Sequence, residues 1–351
     1  MRSNLLKLVL ASFLISLLGL GIGYVWIQHH LDKPVVIQTS KELEEGRLLW
    51  TIERGSNLSR VTAQLNEHKI IDSPALVNIY AKITNSTSIK AGDYWISKTD
   101  SARSLLDKFN KGSVVTYKIT FPEGWAFAEW VNHLAQIPQF AVIKSMSTAD
   151  IIAMLDNEID HPEGWFFPDT YTYSASDTVA DILLQAHQRM RQILEQAWQA
   201  REPNLPYETA YEALIMASII EKETGVADER EEIAGVFVRR LQIGMRLQTD
   251  PTVIYGMGDR YKGNIRRQDL KEKTPYNTYR INGLPPTPIA MPGEDSIKAA
   301  VNPLPGTSLY FVARGDGSHQ FSDTIEEHNE AVKYYQIYKR AKNYQSLPPQ
   351  K

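Results

Sequence analysis

ALIMASIIEKETG, residues 213–225, sets a run of apolar and small side chains directly before the carboxyls of Glu221 and Glu223. The run predicts a helix over 208–223. Its apolar residues cover every face, so the helix is buried nearly all round and forms the core of a globular domain. Leu214, Ala217, Ser218 and Glu221 share one face. Glu223 points about 200° away, and Glu212 lies earlier in a more polar turn. A carboxyl at the mouth of an apolar helix is partly desolvated, which favours its neutral form and raises its pKa. That suits Glu221 to act as a general acid near neutral pH. The plainer reading makes Glu221 a structural partner of Arg239, Arg240 or Arg246. The residues alone leave both open.

Toward the C-terminus, Gly225 is expected to cap this helix. Asp228 and Glu231 resemble a capping box for a helix to Ile243, ended by Gly244. Asp250-Pro251 predicts an N-cap and first-turn proline. The stretch TPYNTYRINGLPPTPIAMPG (274–293) carries too many prolines for a strand or helix and is expected to be a loop, ordered or mobile. Ser308–Ala313 reads as a strand, Gly315–Gly317 as a turn, Glu326–Lys342 as a last helix and 344–351 as a disordered tail.

Toward the N-terminus, 118–205 reads as mostly helical. Pro-Glu-Gly-Trp occurs there at 122–125 and again at 162–165, as two similar turns rather than a domain repeat. The second copy runs into EGWFFPDTYTY (163–173), whose aromatics suit core packing or sugar stacking. Residues 47–117 predict a small β-α-α-β-α-β unit, and 28–46 a linker. The uncharged stretch LVLASFLISLLGLGIGYVWI (8–27) would span roughly 30 Å as a helix, the thickness of a bilayer core. Arg2 and Lys7 before it and Tyr24 and Trp26 at its end predict a membrane anchor, with 1–7 cytoplasmic and the body outside. A cleaved signal peptide is the alternative. The fold class expected is α+β behind a transmembrane helix.

The 351 residues are 43% hydrophobic and 23% charged, ordinary for a folded protein, with a net charge of -3 that argues against nucleic-acid binding. Cysteine is absent, which excludes disulfides and thiolate chemistry. His161, His319 and His328 have no metal spacing, so no metal or cofactor is expected. Ser318-His319 is a poor nucleophile–base pair, because sequence neighbours rarely face each other productively.

IIEKETG (219–225), LQTDPTVIYGMG (247–258), the 274–293 loop and GDGSHQFSDTIEEHNEAV (315–332) together resemble the endolytic murein transglycosylases of the MltG or YceG-like family. EGWFFPDTYTY resembles a further signature, departing slightly at Trp165 and Phe166, and the 47–117 unit with KAGDYWI (90–96) resembles a LysM-like subdomain. The resemblance implies a catalytic domain over 118–343. It also implies cleavage of the β-1,4 bond between N-acetylmuramic acid and N-acetylglucosamine in nascent peptidoglycan. A single Glu, mapped onto Glu221, would give and then take a proton while the muramic C6 hydroxyl closes on C1 to a 1,6-anhydro end. Gln248, Asp250, Thr252, Tyr276, Asn277, Tyr279 and Arg280 would line the cleft, with the Ser318 and Glu326–Asn329 signature as a buttress. Penicillin-binding synthases are implied partners. A hydrolytic muramidase and a non-enzymatic wall-binding anchor are the rival functions.

Overall fold

The computed structural model describes residues 2–37, 45–155 and 159–338, in which the chain divides into two compact units. One unit comprises residues up to Lys118 with Thr172–Asp177; the other comprises Ile119–Tyr171 and Thr178 onward.

The first unit begins with helix α1 (Arg2–Asp32). The membrane span expected at 8–27 falls within it, but the side chains at 8–13, 15 and 20 lie outside the described residues. Among the described residues no helix is long and apolar enough to cross a membrane. Residues 28–37 are more than a linker. Leu31 and Val35 are buried in the first unit's core, and Arg103 grips Asp32 at 2.6 Å. The rest of the expected linker, 38–44, lies outside the described residues.

Strand β1 (Leu48–Ile52), helices α2 (Leu58–Glu67) and α3 (Pro74–Ile83), strand β2 (Gly92–Ile96), helix α4 (Ala102–Lys111) and strand β3 (Thr116–Thr120) follow in the expected β-α-α-β-α-β order. β1 and β2 pair antiparallel, Leu48 opposite Ile96. Alternation along β1 turns Leu48, Trp50 and Ile52 inward, onto Val61, Leu65, Leu105 and Phe109. The helix starts are set locally. The Asn57 side chain accepts from Arg60 N before α2, and Ser101 with Ser104 forms a capping box before α4.

The second unit contains helices α5 (Phe127–Leu134) and α6 (Thr148–Met154), the first two residues of strand β4 (Thr170–Ser174), whose remainder belongs to the first unit, and the long α7 (Val179–Gln199). Next come α8 (Ala210–Glu223), α9 (Arg230–Gln242), α10 (Asp250–Met257), α11 (Glu294–Val301), strands β5 (Tyr310–Ala313) and β6 (His319–Ser322), and α12 (Ile325–Val332). Ala213 through Ile220 are all buried, so α8 is the central helix, packed by α7, α9, α10 and α11. A capping box of Thr209 and Glu212 starts it.

Several local expectations are corrected. Gly225 does not cap α8, because Thr224 leaves the helix in an extended conformation. The Asp228–Glu231 box does not form; a 3-10 turn, Ala227–Glu229, feeds α9 instead. Asp250 is the first residue of α10 rather than its N-cap, and its carboxylate is engaged elsewhere. β6 was not read from the sequence. α12 passes into a π-helical turn at Lys333–Tyr338, beyond which the expected end of the last helix and the tail lie outside the described residues.

The aromatic segment resolves as core: Phe166, Phe167, Tyr171 and Tyr173 are all buried. Trp165 stacks on Tyr211 with ring centroids 5.5 Å apart. Both Pro-Glu-Gly-Trp copies make the same turn, with Gly124 and Gly164 at φ +75° and +83°. The 274–293 segment is ordered by its own polar side chains. Asn277 Nδ2 donates to the Glu272 and Asp269 carbonyls at 2.6 and 3.1 Å, while its Oδ1 accepts from Tyr279 N. Thr278 is fully buried, and its hydroxyl lies 2.9 Å from that of Thr252.

Candidate active site

α8 ends where its apolar run ends, so Lys222 and Glu223 emerge from the core into a cleft of about 740 Å³. Gln248 just before α10, Asp250 as its first residue, Tyr279 from the Pro-rich loop, Tyr310 and His319 from β5 and β6, and His328 from α12 add to its polar lining.

Among the described residues, Glu223 is one of two carboxyls at this cleft, the other being Asp250. It accepts the Thr249 hydroxyl, and its pKa is pushed up to about 7. Burial is the main cause and the Asp250 charge adds to it, while the Thr249 hydrogen bond and Arg240 pull the other way. Arg240 is itself buried, with Nε and an Nη donating at 2.6 Å to the Leu309 and Leu247 carbonyls and its guanidinium over the Tyr310 ring. It can therefore soften the field around Glu223 without pairing directly with it. An acid near neutrality beside open space can give a proton to a bound oxygen and take one back at the same pH.

Glu221, the carboxyl singled out by the sequence, is placed elsewhere. Its Oε2 accepts from Gly293 N at 3.0 Å and from Ser296 Oγ at 2.7 Å, the N-cap and third residue of α11. It is absent from the cleft's lining. Nor does it take the arginine partners considered for it. Arg239 donates to the Ser308 and Leu304 carbonyls, and Arg246 to Asn282 and the Tyr279 carbonyl. The Glu123 carboxyl lies near Glu221, with its pKa raised by burial and by the Glu221 charge.

Of the other expected site residues, Gln248, Asp250 and Tyr279 meet at the cleft, with the Tyr279 hydroxyl donating to Asp250 Oδ1 at 2.7 Å. Gln248 holds a left-handed φ of +51°, a strained conformation for a residue other than glycine and one that recurs at functional sites. Thr252 and Asn277 are buried and brace the loop, so they cannot present their polar atoms to a sugar. Tyr276 turns its hydroxyl to Thr287 and its ring to Tyr255, and neither it nor Arg280 lines the cleft. Ser318 is occupied by Asp316 rather than by its neighbour His319.

Sequence reasoning missed Glu163, which is buried with Oε1 accepting from Phe127 N and Oε2 from the Tyr255 hydroxyl, and whose pKa burial pushes up to about 7. It also passed over Glu229, which holds His319. The echo of Pro-Glu-Gly-Trp was the only hint of Glu163. Among the described residues, no three His, Asp or Glu side chains stand together as metal ligands.

A carboxyl with a raised pKa in a cleft lined also by Tyr261, Tyr279 and Tyr310 is suited to acid–base chemistry on a polar ligand. The chain belongs to the YceG-like family, whose model matches residues 50–334. An endolytic murein transglycosylase of Bacillus subtilis is 31% identical over 311 residues, covering 81% of this chain and 83% of the relative. A protein of the same name from Streptococcus pneumoniae is 28% identical over 366 residues; it covers 93% of this chain, which matches 65% of that longer relative. A crystal structure of a yceG-like protein from Listeria monocytogenes superposes with a TM-score of 0.50 at 31% identity, over 82% of this chain and 99% of that one.

Proposed function

We propose that the chain is an endolytic murein transglycosylase in which Glu223, rather than Glu221, is the acid. The observation that carries the reading is the Glu223 carboxyl at the cleft with its pKa pushed up to about 7. Protonated in about half of the molecules at neutral pH, it gives its proton to the oxygen leaving C1 of N-acetylmuramic acid, and the C6 hydroxyl of the same sugar attacks C1. A glycosidase that uses water needs a second carboxylate to attack or to activate it. Here the sugar supplies its own nucleophile, and a 1,6-anhydro end results. Gln248 and Tyr279 are the side chains proposed to bind the strand. The 47–117 unit is read as LysM-like, an auxiliary grip on the same polymer.

The N-terminal helix is proposed as an anchor in the cytoplasmic membrane, with residues 1–7 inside and the body outside. The supports are the uncharged run at 8–27 and its basic flank. From that position the enzyme would cut nascent strands beside the penicillin-binding synthases and end their growth. Membrane fractionation of the full chain against one starting near residue 30 tests the anchor; the full chain in the soluble fraction would refute it.

One observation favours the hydrolytic muramidase as a second reading: Asp250 shares the cleft with Glu223 and could activate a water. Mass analysis of product ends separates the two. Anhydro ends, lost in Glu223→Gln and kept in Glu221→Gln, are the expected result. Ends one water heavier support hydrolysis, and strand binding without any cutting supports a wall-binding anchor.

A further inference from the structure

His319 opens β6 at the edge of the same cleft, and Glu229 grips it twice. His319 N donates to Glu229 Oε1 at 2.8 Å, and Nδ1 lies 2.8 Å from Oε2. A carboxylate can only accept, so Nδ1 carries the hydrogen, and in the neutral ring Nε2 then holds the lone pair. Among the described residues Nε2 has no hydrogen-bond partner and is not sealed off as a buried atom, while the residue lines the cleft. Phe311 stands edge-on against the ring, 5.4 Å between centroids, and fixes its plane. Burying an imidazole at 5% exposure against a carboxylate is a costly arrangement. The fold makes no further use of the nitrogen it leaves open.

We propose that His319 is a second catalytic residue of the cleft, the base that takes the proton of the attacking hydroxyl; this rests on the transglycosylase reading above. In the step, the O6–C1 bond forms and the C1–O bond to the leaving sugar breaks. The Glu223 proton passes to the leaving oxygen as the C1–O bond breaks, and the O6 proton then passes to His319 Nε2 as O6 closes on C1 from the same face. The pair ends as imidazolium and carboxylate and is reset by proton return through solvent. A lone carboxyl must first give its proton and then recover one, so donation and acceptance are sequential. A separate base relieves Glu223 of the second task, so each group keeps a single role. Glu229 is a positioning residue in this scheme: it fixes the tautomer and steadies the imidazolium as it forms.

The test is strand cutting by the full chain, comparing wild type with His319→Ala and His319→Gln, with and without added imidazole. The expected result is a fall in kcat of about 100-fold with KM unchanged, and recovery of the alanine variant by imidazole. Glutamine can still bond Glu229 but cannot act as a base, so its loss of kcat carries the test if the alanine variant does not fold. Cutting within a few-fold of wild type in either folded variant, or no rescue by imidazole, overturns the proposal. Absence of anhydro ends from the wild type would instead sink the reading on which it rests.

Discussion

Ser296 Oγ donates to Glu221 Oε2 at 2.7 Å, and this bond, with that from Gly293 N, makes Glu221 a tie between the end of α8 and the start of α11. Hydrogen bonds to a charged group are worth about 1.5–3 kcal/mol each, and orphaned donors add to the loss. Glu221→Ala is therefore expected to destabilise the protein by about 3 kcal/mol, while the rate per folded molecule stays near wild type. Denaturant unfolding alongside cutting assays checks this. A stable variant with no activity would return the catalytic role to Glu221.

Thr249 donates to Glu223 and so favours its ionised form. Thr249→Val removes that donor and raises the Glu223 pKa further. Since the acid must be protonated to act, the alkaline limb of the pH–rate profile should move to higher pH. A limb that stays put or moves down would separate the profile from Glu223.

Glu163 has a folded pKa of about 7 against an ordinary 4.5, with burial as the main cause. The folded state thus binds more protons than the unfolded chain between those values, and stability falls as pH rises through that window. At about 1.4 kcal/mol per unit, the group contributes a loss of up to about 3 kcal/mol. Glu163→Gln keeps an oxygen for Phe127 N and should flatten the slope between pH 5 and pH 7.5. An unaltered slope in urea unfolding at the two pH values would contradict this.

Gly164 sits at φ +83°, and a Cβ there would lie 2.5 Å from Pro288 Cγ. Gly164→Ala combines a left-handed conformation with overpacking against a rigid ring. It should cost about 3 kcal/mol, seen as a lowered thermal midpoint. A variant as stable as wild type would mean that the Pro-rich loop yields easily.

The second unit's core was legible because an unbroken apolar run can only be a buried element, and α8 follows it residue for residue from Ala213 to Ile220. The same periodicity separated Glu221 from Glu223 by more than half a turn. It could not say which side faced the cleft, because that depends on where the distant residues of α11 and α10 pack. Glu221 meets Gly293 and Ser296, and Glu223 meets Thr249. Local capping signals failed where tertiary partners outbid them: Asp250 is taken by Tyr279, and His319 binds Glu229 just after the Asp228 expected to cap a helix. His319 was visible as a residue and illegible as a site, since its partner lies far away in the chain. β6 was missed because its four residues, His319–Ser322, are too short to show a clear alternation.

The bracing of residues 274–293 by Asn277 and Thr278 has a consequence for capture of the polymer. Tyr279, the residue this segment brings to the cleft, is set beforehand and carries no ordering entropy into the encounter, so it has little to rearrange when a chain arrives. How fast a strand is taken up is then governed by how often it meets the groove in the right direction, and its release by the contacts made once there.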